Sequence, residues 1–203
     1  IVFDEGHHLF DAADAAFSAA LSGAEAAELR RWIRGPEGRG RRGRGLETRL
    51  GDLVGEREDA RRALDDVIRA AAALPGEGWS GRIAPATGEA NPIGPVEAFL
   101  TAALEQLRAR ASASGIGQEC AARPALDRVR ETAAEAARAL AGVEGPLLAL
   151  ARGLEDLLDQ EADELAAGDR ARIEGALRGL DRRVRMTLPA WRSMLQAIAE
   201  DAE

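Results

Sequence analysis

Two acids, Asp4 and Glu5, directly follow the apolar run Ile1, Val2 and Phe3. Three β-favouring residues that stop abruptly at acids read as a buried strand delivering carboxylates to its C-terminal edge. That spacing suits hydrolysis of a nucleoside triphosphate, in which the first acid holds a hydrated magnesium ion and the second orients the attacking water. The plainer reading is an acidic N-cap for the helix that follows. His7 and His8 come next, but neighbouring residues point in different directions and the sequence has no other histidine to complete a metal site.

A second group is cationic. Residues 35–45, GPEGRGRRGRG, hold five glycines and one proline, which disfavours any regular element. Arg39, Arg41, Arg42 and Arg44 in this loop suit contact with a nucleic-acid backbone without sequence preference. No aromatic residue is interleaved for base stacking, which favours the plainer reading of a solvated, disordered loop. Trp32 and Trp191 fall on apolar helix faces and are expected in the core, whereas Trp79 lies in a connection and is open to a stacking role. Cys120 is the only cysteine, so no intrachain disulfide or thiolate metal cluster forms, and a reducing cytoplasm fits.

The elements that must position these groups read as helices after residue 9. Apolar residues from Phe10 to Leu21 keep helical spacing, and Ser22 with Glu25 has the spacing of a capping box that restarts a helix through Ile33. Leu46, Leu50, Leu53, Ala60, Leu64, Val67, Ile68 and Ala71 predict one long helix over 46–74. Residues 75–95 are rich in proline and glycine and predict an irregular connection, pinned by Trp79 and Ile83. Helices are expected over 95–113, 124–142 and 146–167, each opened by a proline, Pro95, Pro124 or Pro146. A last helix from Asp169 to Ile198 should be bent or divided at Pro189. The expected fold is all-α, a bundle of long antiparallel helices.

The run IVFDEGHHLFDAADAAF resembles the Walker B region of superfamily 2 helicases, whose box is usually DEAH. Here the box reads Asp4-Glu5-Gly6-His7, followed by His8, Leu9 and Asp11, as in the DinG/XPD branch; Gly6 replaces the usual alanine. The resemblance implies an ATP-dependent DNA helicase with Asp4 as magnesium ligand, Glu5 as catalytic base and His7 coupling the ATP site to neighbouring motifs. It also implies a division into residues 1–9, the end of a motor-domain strand, and residues 10–203, an all-helical arch-like insertion that helps frame single-stranded DNA. In XPD-like enzymes the cysteines of an iron–sulfur cluster precede the Walker B box, so Cys120 does not bear on one.

Composition sets limits on that expectation. The sequence has 203 residues, 46% of them hydrophobic but only 3% aromatic, and its 27 basic residues are all arginine, as the codon bias of a GC-rich bacterial genome would give. Without lysine there is no G-x-x-x-x-G-K-[ST] phosphate cradle, so ATP and magnesium are expected in the parent protein and not in this chain alone, which should be inactive. A net charge of −8 repels phosphate at long range, so single-stranded DNA should bind weakly and at a local basic patch. The start at Ile1 without methionine suggests a piece of a longer protein, whose motor domain would be the other partner and whose absence favours self-association. No apolar run is long enough for a membrane span. Two rivals stand beside the helicase: a helical interaction or scaffold protein without catalysis, and a four-helix metal carrier, which lacks the necessary Glu-x-x-His pairs.

Overall fold

The computed structural model describes residues 20–37, 44–55, 57–110, 119–161 and 165–201. The predicted strand, Asp4, Glu5, His7, Arg39, Arg41 and Arg42, and the boundary between residues 9 and 10, lie outside these residues. The described residues are helical and contain no strand.

Helix α1 (Gly23–Arg34) starts where the capping box predicts, with the Glu25 amide donating to Ser22 Oγ at 3.1 Å. It ends at Gly35, whose φ of 83° is readily open only to glycine and whose amide donates back to the Arg31 carbonyl at 2.8 Å.

The helix predicted over 46–74 is two helices, α2 (Leu46–Leu50) and α3 (Glu58–Ala70), with a 3₁₀ turn (Ala71–Ala73) after the second. Leu46, Leu50 and Val54 are fully buried at helical spacing, but the next core residue is Ala60, six positions on and out of phase. Turns through residues 51–55 and an extended Arg57 reset the phase. Arg61 of α3 then reaches back to Glu47 of α2 at 2.9 Å.

The 75–94 connection is ordered, as expected, but includes a short helix, α4 (Trp79–Ile83). It leads into α5 (Pro95–Arg110), opened by proline as predicted.

Helix α6 (Asp127–Gln160) overturns the expectation of separate helices at 124–142 and 146–167, because Pro146 sits inside it. Two features reconcile the helix with its proline. Gly145 has no Cβ to meet the proline ring, which is the usual reason that residues before proline avoid helical backbone. Leu140, Val143, Leu147, Leu150, Leu154 and Leu157 are also buried in one unbroken stripe, so packing holds both halves in register. Pro124 precedes the helix and does not open it.

Helix α7 (Ala167–Arg182) is followed by a π-helical turn (Arg183–Thr187) and by α8 (Leu188–Ala199). This is the predicted division at Pro189. Proline cannot donate a hydrogen bond, and the turn before it widens, so that Leu188 N bonds to Arg183 O, five residues back.

Helix α6 is the spine of the bundle. Arg192 of α8 pairs with Glu144, whereas Asp201, just beyond α8, accepts from the Ala125 amide at 2.9 Å, so α8 runs antiparallel to the first half of α6. Helix α3 runs antiparallel to the second half: Arg57 pairs with Glu161, and Ala60 packs so closely on Gly153 that a Cβ there would lie 2.9 Å from the alanine methyl. Helix α7 is tied to the end of α2 by Arg172, which donates to Asp52 at 2.7 and 3.0 Å and holds that carboxyl below its usual pKa. The fold is therefore an all-α bundle of packed antiparallel helices around one apolar core.

Candidate functional site

The two ends of the arginine-glycine loop are pinned together. Gly45 stands so close to the end of α1 that a Cβ on it would fall 2.5 Å from Arg34 C and Gly35 N. Arg44, the one predicted loop arginine among the described residues, is exposed beside this stem. Glu37, at the other end, accepts from Arg30 Nε at 2.9 Å.

Arg30 braces this end of the molecule. Besides Glu37, its guanidinium donates to the carbonyls of Leu74 at 2.9 Å and Ala72 at 3.2 Å, holding α1 against the start of the 75–94 connection. These carbonyls end α3 and its 3₁₀ turn, where helices leave acceptors unfilled. The next residue, Arg31, has no carboxylate partner among the described residues.

Between α1 and the connection lies a cavity of about 330 Å³, lined by Ala27, Arg30, Arg31, Glu37 and residues 75–80. Trp79 is half-buried in its wall, with its six-membered ring directly over Gly23, where any Cβ would collide with it. Gly23, Ala27, Arg30 and Arg31 fall on one face of α1. The face thus changes from small residues under the indole to guanidinium groups at the far end.

The connection itself is organised by Glu97, a fully buried carboxylate of α5. It accepts from Arg82 Nε at 2.9 Å and Nη2 at 2.5 Å, from the Ile93 amide at 2.9 Å and from the Gly76 amide at 3.3 Å. Burial pushes its pKa up, but the Arg82 hydrogen bonds and the two amides outweigh burial and hold it below the usual carboxylate range.

Trp191 sits in the core as predicted, and its indole N–H donates to the Ala20 carbonyl at 2.7 Å, fixing the segment that enters α1. Trp32 departs from the prediction. It is only partly buried, and the guanidinium groups of Arg49 and Arg183 lie over its ring at 5.1 and 4.2 Å. Burial lowers the pKa of Arg183, with Glu28 opposing and Arg182 and Arg49 adding to the effect. The sequence analysis singled out none of Arg30, Arg31, Arg49 and Arg183. The available signal was the Arg30-Arg31 pair, two turns beyond Gly23 and one turn beyond Ala27.

Among the described residues, no group of three or more His, Cys, Asp or Glu side chains is placed to hold a metal ion. No helix among them is long and apolar enough to cross a membrane. Cys120 is half-buried. Compared with known protein families, curated proteins and solved structures, the chain matches none. The fold and site thus define a class, an all-α bundle with an aromatic and cationic cavity, and the function must be argued from the chain itself.

Proposed function

We propose that this chain belongs to an ATP-dependent DNA helicase, to which it contributes the acidic pair Asp4-Glu5 and a helical body that helps frame single-stranded DNA. The observation that carries this reading is the run Ile1-Val2-Phe3-Asp4-Glu5-Gly6-His7-His8-Leu9 in a chain whose described residues form an all-α bundle. The acids supply magnesium ligation and water activation, and His7 couples them to neighbouring motifs. The chain has no lysine and no phosphate-cradling loop, so the residues that hold ATP belong to sequence outside it. A cytoplasmic location accords with this role.

The test is ATP hydrolysis by a protein containing this chain and its flanking sequence, with and without single-stranded DNA. DNA-stimulated turnover that Glu5→Gln reduces to background supports the reading; turnover indifferent to Glu5→Gln, or none at all, overturns it.

The second reading, a non-catalytic interaction module, is favoured by Met186, which is 69% exposed on the π-helical turn between Arg185 and Thr187. It predicts a protein partner whose binding Met186→Ser weakens and DNA leaves unchanged.

A further inference from the structure

We propose that the cavity between α1 and residues 75–80 holds one nucleotide of a single strand, its base stacked on Trp79 and its phosphate at Arg31. This rests on the helicase reading and assigns its strand contact to a site that the arginine-glycine loop does not itself provide.

Four observations converge on this. The volume, about 330 Å³, falls at the small end of ligand pockets, adequate for a base and its sugar. Trp79 offers an indole held in place by Gly23, so little freedom is lost when a base stacks on it. Arg31 lines the same cavity and has no carboxylate partner among the described residues, so its charge is available to a phosphate. Arg30 meanwhile is engaged by Glu37 and by the carbonyls of Ala71, Ala72 and Leu74, so it shapes the wall and offsets the Glu37 charge.

Backbone geometry supports the same assignment. Gly76 and Gly78 bring a wall without side chains to the cavity, and Gly78 has a φ of 75°. Glu37, which lines the cavity, and Gly45, which packs on Arg34 and Gly35, place the cavity beside the described ends of the arginine-glycine loop. Among the described residues, Arg30 and Arg31 line this cavity and Arg44 lies at the stem beside it, in a chain whose net charge is −8.

The experiment titrates the full chain with a short oligo-dT, following tryptophan emission and, separately, anisotropy of a labelled strand. Emission should be quenched on binding, and Trp79→Ser should remove the quenching and weaken binding roughly tenfold to a hundredfold. Because Trp79 also packs on Gly23, Arg31→Ser provides a variant that leaves that packing intact. It should weaken binding and reduce the salt slope by about 0.7 at unchanged helix content. Thymidine monophosphate, which lacks neighbouring nucleotides, should bind far more weakly than the oligonucleotide.

Absence of oligo-dT binding, binding indifferent to both substitutions, or equal affinity for the mononucleotide overturns the proposal. The helicase reading fails separately, through Glu5→Gln and ATP turnover. Turnover that depends on Glu5 alongside indifferent Trp79 and Arg31 variants would sink the pocket alone.

Discussion

Arg82 grips the carboxylate of Glu97 through both Nε and Nη2, and because Glu97 is fully buried while Arg82 is 23% exposed, the pair forms a plug between the 75–94 connection and α5. Arg82→Ala leaves that carboxylate buried with only two amides. The expected loss is about 3 kcal/mol of unfolding free energy, since removing one partner of a buried pair strands the other. Urea unfolding followed by circular dichroism measures it; an unchanged midpoint would show that water reaches Glu97 freely.

The same carboxylate gives the stability a pH dependence. Its folded pKa is depressed below the unfolded value, so its contribution is fully present above the ordinary carboxylate range and is lost as pH falls through the folded value. Urea midpoints should therefore drop in acid, and Glu97→Gln should flatten that slope while lowering the midpoint near neutral pH. Equal slopes in the two proteins would assign the acid response to other carboxylates, such as Asp52, whose pKa Arg172 also holds down.

Pro146 is tolerated inside α6 and not needed there. Its ring removes one backbone hydrogen bond, whose acceptor, the Gly142 carbonyl, belongs to an exposed residue. Pro146→Ala should raise stability by about 1–3 kcal/mol, part of the cost of proline in a helix interior. A lower melting temperature would mean that the proline sets a bend the core requires.

At the stem of the arginine-glycine loop, Gly45→Ala should cost about 1–3 kcal/mol, because its Cβ would be driven into the backbone of Arg34 and Gly35. Gly142→Ala, on the open face of α6, should instead stabilise by roughly 0.5–1 kcal/mol. Parallel thermal melts decide; similar effects at the two glycines would refute the close approach at the stem.

What could be read from the sequence is what neighbours in the chain decide among themselves. Ser22 and Glu25 cap a helix wherever it lies, the apolar stripes of α6, α7 and α8 declare their buried faces, and Pro189 cannot donate the bond that would carry α7 straight into α8. The all-α class followed from those local signals. The acids at positions 4 and 5 were also conspicuous, but they lie outside the described residues, and the chemistry proposed for them would need a phosphate-binding lysine that the sequence lacks.

Tertiary structure decided the rest, because the partners come from distant positions. Nothing around Glu97 marks it as buried, since three of its four donor bonds come from residues 76 and 82 and the fourth from 93. Pro146 looked like a helix start until a continuous leucine stripe held both halves in one helix, and residues 46–74 looked continuous until the core took Ala60 out of phase with Val54. Likewise Trp79 and Arg31 are 48 positions apart in the sequence. The packing of Trp79 on Gly23 and the Arg30 brace from α1 to the carbonyls of Ala72 and Leu74 together bring the indole and the guanidinium to one cavity.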